Sequence, residues 1–421
     1  MMKSQEIDVA VIGGGPAGLA AAIKAKEAGL DRVVVIERGE YLGGLLDQCI
    51  HNGFGLLYFK QDWTGPEYGQ WFIEKANDLG VESLLKTMVV KLFPDRRMAI
   101  SNDKGYTTLH PKAVVLAMGC RERSRESLSI PGTRPAGILT AGTAQRYVNI
   151  EGYIPGKEVV ILGSGDVGMI MARRLTLEGA EVKAVVEVLP YTGGLIRNEV
   201  QCLHDFNIPI LHEHTVTNVH GQERVKAVTI ARVDKDWNPI AGTERMIECD
   251  TLLISAGLIP ENELSRMAGI ALDPITGGPL VDERMETSVA GIFAGGNVVH
   301  VNDLVDNVTW EGEVAGKGAA RFAAGKEMAQ KAKKARVRLK AGNNIRYIVP
   351  QTIARGEEVT LLMRVKEPAE HVRLNVGDLL SKGMRAVKPS EMIKVPLSPK
   401  EWEKLGQGID ELWVTCESRR S

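Results

Sequence analysis

The sequence predicts an α/β protein in which one strand–glycine turn–helix unit is built twice, followed by a small β-rich C-terminal module. Three observations predict it. The stretch VAVIGGGPAGLAAA (9–22) is a hydrophobic strand that runs into a glycine turn and then a helix. VVILGSGDVGMIMARR (159–174) repeats that pattern. Near the end, VTLLMRV (359–365), HVRLNVG (371–377), MIKVPL (392–397) and ELWVTC (411–416) alternate with a period of two between Pro and Gly, which reads as short antiparallel strands.

The first two units align without a gap. Gly13, Gly15 and Gly18 fall on Gly163, Gly165 and Gly168, Gly29 on Gly179, Glu37 on Glu187, and Gly43-Gly44-Leu45 on Gly193-Gly194-Leu195. One G-x-G-x-x-G is weak evidence, since glycine turns are common. Two of them, each after a strand, before a helix and ahead of an acid that ends a second strand, are strong evidence for two Rossmann-like dinucleotide-binding domains. The residue types follow from the chemistry. The first glycine permits the tight turn, the second lets backbone approach a pyrophosphate, and the third lets helix pack on strand. The helix amino end offers free N–H groups and a positive dipole, and the acid accepts a hydrogen bond from a ribose hydroxyl.

Composition excludes other classes. The 421 residues suit two or three domains, with 44% hydrophobic and 25% charged residues, an ordinary globular balance. A net charge of −1 argues against general nucleic-acid affinity. The opening MMKSQEIDVAVIGGG runs directly into a strand, and no apolar run approaches a membrane span. Cys49, Cys120, Cys202, Cys249 and Cys416 are scattered and form no C-x-x-C, so the expected location is cytoplasmic, and no metal site is expected.

On these residues the chain resembles the two-dinucleotide-domain flavoproteins, the superfamily of glutathione reductase and thioredoxin reductase. HPKAVVLAMGC (110–120) and ECDTLLISAGLIP (248–260) resemble the strand-then-glycine segments that close each nucleotide site there, and TSVAGIFAGGNVVHVNDLVDNVTWEGEVAGKGAA (287–320) resembles the returning flavin segment. The resemblance implies FAD in the first site and NAD(H) in the second. Its domains would be an FAD domain of 1–150 and 272–330, an inserted NAD domain of 151–271, and a basic linker and β-rich module of 331–421. FAD contacts would come from Gly13, Gly15, Pro16, Ala17, Gly18, Glu37, Arg38, Gly44, Val89, Ala117, Gly119, Gly296, Asn297, Val308 and Thr309. NAD contacts would come from Gly163, Gly165, Asp166, Val167, Gly168, Glu187 and Gly257.

A helix beginning near Val308–Trp310 would aim its positive end at the flavin and stabilise charge on the reduced ring. The family has Asp where this chain has Asn297, which can hydrogen-bond a ribityl hydroxyl or simply serve as a turn residue. Glu187 is followed by VLP with no Arg to receive a 2′-phosphate, so NADH is expected over NADPH, with Lys183 and Arg197 the cations to place. Alternatively, Glu187 merely caps its strand.

The redox cysteine pair of the disulfide reductases is missing. GGLLDQCIHNGFGL (43–56) holds only Cys49, which reads as a small buried hydrophobe or a weak catalytic candidate. His51 is a weak acid–base candidate or an ordinary hydrogen-bonded histidine, as is His300. His212 and His214 lack a third metal ligand. The wording of 119–168 and FAGGNVVHVNDLVDNVTWEGE narrows the resemblance to flavoprotein subunits that accompany anaerobic-type glycerol-3-phosphate dehydrogenase, opine oxidase and hydrogen cyanide synthase. That implies a hetero-oligomer in which this subunit exchanges hydride with NAD(H). A second dehydrogenase or flavoprotein subunit, with an iron–sulfur or ferredoxin-like carrier as a further partner, would take or supply the electrons. The alternatives are a free-standing NADH oxidase or quinone reductase, and a non-catalytic nucleotide-binding subunit. From residue 331 onward 19 Lys/Arg face 11 Asp/Glu, a surplus of 19 − 11 = 8, and residues 331–340 look helical and basic. Such a tail suits an acidic partner, a membrane surface or plain solvation.

Overall fold

The computed structural model describes residues 6–326, 335–404 and 408–418. It divides into two compact units, Met1–Cys120 with Pro260–Ser421, and Arg121–Ile259.

In the first unit a five-stranded sheet runs in the order Glu82–Leu84, Val33–Ile36, Ile7–Ile12, Pro111–Leu116, Ile292–Ala294. Every pairing is parallel. Runs such as VVVI are buried on both faces, as interior parallel strands require. In the second unit the order is Ile210–Leu211, Glu181–Val186, Glu158–Leu162, Thr251–Ile254, Ile138–Thr140, again all parallel. Each unit adds a three-stranded antiparallel sheet, Met88–Leu92 to Gly105–Leu109 in the first and His214–Gly221 to Arg245–Glu248 in the second.

The second unit opens at Arg121 rather than 151 and closes at Ile259 rather than 271. Its outer strand explains the early start. Ile138–Thr140 pairs with Leu252–Ile254 and completes that sheet, as Ile292–Ala294 completes the first.

The tail belongs to the first unit and has its own core of residues such as Val337, Leu361, Leu374 and Val414. The four expected stretches are strands, joined by Arg336–Ala341, Ile345–Val349, Thr352–Ala354 and Leu380–Val387. Antiparallel pairing dominates, but Arg336–Ala341 runs parallel to Glu411–Ser418. The helix expected at 331–340 is corrected at 336–340, which is strand, while 331–334 lie outside the described residues. Alternation of buried Val337 and Leu339 with Arg338 selects strand over helix. The tail is bound to the rest of its unit: Arg336 lies 3.1 Å from Glu283, and Gln351 Oε1 accepts the Val281 N–H at 2.9 Å.

Among the described residues no helix is long and apolar enough to cross a membrane.

Candidate functional site

The repeat extends to individual hydrogen bonds. Gly13 N–H donates to the Ile36 carbonyl at 2.9 Å, and Gly163 N–H to the Val186 carbonyl at 2.7 Å. Both glycines are left-handed, with φ of +105° and +95°, and a Cβ on either would collide with a backbone carbonyl, of Ala117 or Ser255. No other residue type fits these turns without strain. The helices that follow, Pro16–Glu27 and Asp166–Leu177, start from Gly15 and Gly165 with no side chain capping them.

The two acids match as well. Glu37 accepts the N–H groups of Gly14 and Gly39, each at 2.7 Å. Glu187 accepts those of Ser164 and Leu189, each at 2.8 Å. Each carboxylate keeps a lone pair for an outside donor. Glu187 takes in addition the Ser164 hydroxyl at 2.5 Å and is 5% exposed. Ser164, in turn, accepts the Gly193 N–H at 2.7 Å, which folds the second Gly-Gly loop over the turn. In the first unit Gly43 donates to the Gly14 carbonyl at 2.8 Å, and Gly44 lies against Gly15.

The sites differ at the helix amino end. Asp166 Oδ1 accepts the Leu195 N–H and the Asn198 amide, and Ser255 Oγ accepts the Gly168 N–H at 3.1 Å. Sequence reading missed Ser164 and Ser255, because only the fold brings 164 to 187 and 255 to 168. Of the two cations, Lys183 pairs with Glu158 and Glu181 at 2.9 and 2.6 Å, at the opposite end of its strand from Glu187. Arg197 is exposed. Val167 and Gly257 follow in the same unit, Gly257 left-handed at φ +102° and exposed. A cavity of about 200 Å³ at the carboxyl ends of Ile138–Thr140 and Thr251–Ile254 is lined by Arg125, Thr140 and Ile254 among others. Arg125 is held by the carbonyls of Ile130, Pro131, Gly132 and Thr133.

In the first unit Ala117 and Gly119 follow the strand Pro111–Leu116, and Gly296 packs on Ala17 and Val308. Val89 is buried in the antiparallel sheet, and Arg38 is exposed. The returning helix spans Val305–Ala323, starting three residues before the expected Val308. Its first turn therefore presents Val305, Asp306 and Asn307. Val308 and Thr309 come next along the helix, with Thr309 Oγ1 2.8 Å from the buried Tyr68 hydroxyl. The early start has a long-range cause: Asp306 Oδ1 accepts the N–H groups of Leu57 and Tyr58 at 3.1 and 2.7 Å, which ties that turn down. Asn297 Oδ1 accepts the Asn302 N–H at 3.0 Å, so the side chain holds the loop as a turn residue does.

The residues present fit FAD. The space above Gly15 is open, since a Cβ there would meet only the Gly44 Cα at 3.8 Å. Three buried acceptors near the returning helix, Asn302 Oδ1, Asp306 Oδ2 and Asn307 Oδ1, have no donor among the described residues, and a flavin supplies N–H and hydroxyl donors.

The five cysteines form no C-x-x-C. Cys49 donates its S–H to the Leu45 carbonyl, and burial, with help from the Asp47 charge, pushes its thiol up to about 12. At neutral pH it is a thiol and not a nucleophile. From an ordinary 9.0, that shift means alkylation at pH 8 about a thousandfold slower than for a free cysteine, as timed mass spectrometry with iodoacetamide would measure. His51 Nδ1 is bonded to the Asn52 carbonyl oxygen at 2.9 Å, and its ring packs on Phe54. No metal-binding cluster occurs among the described residues.

A family model described as pyridine nucleotide-disulphide oxidoreductase matches residues 7–312. Hydrogen cyanide synthase subunit HcnB of Pseudomonas protegens is 26% identical over 284 residues, covering 62% of this chain and 58% of that protein. The A subunit of opine oxidase from Agrobacterium tumefaciens is 27% identical over 312 residues, covering 69% and 61%. The chain thus spans about three-fifths of the length of these relatives. The crystal structure of thioredoxin reductase from T. acidophilum has the same fold, with a TM-score of 0.63 at 24% identity over 76% of this chain and 99% of that one.

Proposed function

Because this chain belongs to the pyridine nucleotide-disulphide oxidoreductase family, we propose that it is the NADH-linked flavoprotein subunit of a larger redox complex. It is an FAD-dependent oxidoreductase, and the family uses FAD and NAD(P)H. When bound, the cofactors supply the hydride chemistry. The protein's part is to bind and orient. Gly13–Gly18 offer backbone N–H groups to the FAD pyrophosphate, and Gly163–Gly168 do so for NADH. Glu37 and Glu187 accept a ribose hydroxyl each. NADH is favoured over NADPH because the Glu187 carboxylate repels a 2′-phosphate, and Lys183 is engaged elsewhere. No side-chain acid or base is needed for a hydride to pass.

One observation carries the reading: two matching turn-and-carboxylate arrangements occur in a chain whose sequence holds no C-x-x-C. With no C-x-x-C dithiol to receive electrons, they must pass to or from another redox centre. The relatives' names describe subunits of hydrogen cyanide synthase and opine oxidase, which suits a partner of the amine- or alcohol-oxidising class.

The test is an anaerobic titration of the flavin-loaded chain. Stoichiometric NADH should bleach the flavin absorbance, NADPH should do so poorly, and reoxidation by air should be slow until the partner is added. A flavin that NADH leaves coloured ends the catalytic reading. Fast turnover with oxygen by the chain alone favours a free-standing oxidase.

A further inference from the structure

The returning helix carries a buried acid that dinucleotide binding does not require. Glu311 and His300 are both fully enclosed, with side chains at 0% exposure and 2.7 Å between His300 Nε2 and Glu311 Oε1. Glu311 Oε1 also accepts the Asn302 amide at 3.1 Å, and Oε2 accepts the Gly296 N–H at 2.7 Å. Two N–H groups and a ring nitrogen of His300 thus converge on its two oxygens. His300 Nδ1 is 3.2 Å from the hydroxyl of Tyr347, which the C-terminal module supplies. The same module grips the segment at two more points: Arg364 donates to the Val301 carbonyl at 3.2 Å, and Met392 N–H to Asp303 Oδ2 at 3.1 Å. Neither cation nearby makes an ion pair with Glu311 among the described residues, although the Lys394 ammonium feels its charge. Arg364 lies 3.8 Å from Asp303, and the Lys394 ammonium sits 5.8 Å over the Trp310 ring rather than on the carboxylate.

A carboxylate is costly to bury, and this one lies on the returning helix, which the proposed FAD placement aims at the flavin. We propose that Glu311 sets the flavin's reduction potential, as a buried negative charge that opposes the helix's positive end and makes the reduced cofactor a stronger electron donor, with His300 and Tyr347 as positioning residues. The inference rests on the flavin placement proposed above. It also gives the C-terminal module a role at the redox centre, since that module supplies the last link in the chain that holds the acid.

The experiment is the reduction potential of the flavin-loaded protein, equilibrated anaerobically with a reference dye. Glu311→Gln keeps the shape and removes the charge. At a fixed poise it should raise the ratio of reduced to oxidised flavin about tenfold, equivalent to about 30 mV for a two-electron couple. A flavin-loaded variant whose ratio moves less than about threefold, or toward the oxidised form, sinks this inference alone. A wild-type chain that binds no flavin sinks the reading beneath it. Should the single variant lose flavin, His300→Gln/Glu311→Gln, which pairs two neutral amides in the same space, must show the same rise. Loss of flavin from both variants would make the pair a purely structural brace.

Discussion

Gly165→Val should keep its flavin and lose NADH. Gly165 starts the helix Asp166–Leu177 at an ordinary φ of −64°, so valine is tolerated by the backbone. Its Cβ would lie 2.9 Å from the Ser255 hydroxyl and 3.0 Å from the Ser255 carbonyl oxygen, so that strand end must give by a few tenths of an ångström. The rest of the valine would stand where a pyrophosphate must meet backbone N–H groups, and the close approach is lost. Flavin reduction by NADH is expected to slow about a hundredfold, or about 2.7 kcal/mol. The matched change Gly15→Val should do the reverse, giving a folded chain stripped of flavin, because the space above Gly15 is open to a Cβ but is the proposed flavin seat. Stopped-flow reduction and the flavin-to-protein absorbance ratio separate the two. If both variants lost the same ligand, the assignment of one cofactor to each turn would fail.

Gly316→Leu should cost the fold itself. The helices Pro16–Glu27 and Val305–Ala323 touch backbone to backbone in the first unit. A Cβ on Gly312 would collide with the Ala17 carbonyl oxygen, and one on Gly316 with that of Ala21. Neither neighbour is a flexible side chain that can move. A leucine there must push the helices apart, at about 3 kcal/mol for overpacking of a tight contact. The helix so displaced begins at the first glycine turn, so flavin should be lost along with stability. Thermal unfolding with flavin fluorescence measures both at once. Lys317→Leu, one residue on and exposed, should stay within about 0.5 kcal/mol. Equal effects at 316 and 317 would mean that the crossing is not tight.

Much of this was legible along the chain. The glycine turns, the strand ahead of each, and the acid ending the next strand depend on residues within about one supersecondary unit, and their spacing is set by the 3.6 and 2.0 periods of helix and strand. That is why Gly13 and Gly163, or Glu37 and Glu187, can be aligned before any contact is known. The unit boundary is less visible. Ile138–Thr140 is three residues of ILT, too short to announce itself, and it becomes a strand only because Leu252–Ile254 offers an edge. The returning helix is legible, but its start is not, since Asp306 is fixed there by Leu57 and Tyr58, some 250 residues away along the chain.

By itself, the sequence determined that two nucleotide turns exist, that no cysteine pair accompanies them, and that a β-rich tail follows. Tertiary structure alone decided that Ser164 and Ser255 complete the second turn, and that Tyr347 reaches across to His300 and Glu311. The reason is one of range. Periodicity and turn chemistry record what a residue does with its neighbours in the chain, whereas a buried carboxylate can persist only where distant segments converge to supply its hydrogen bonds, and no local pattern encodes that meeting.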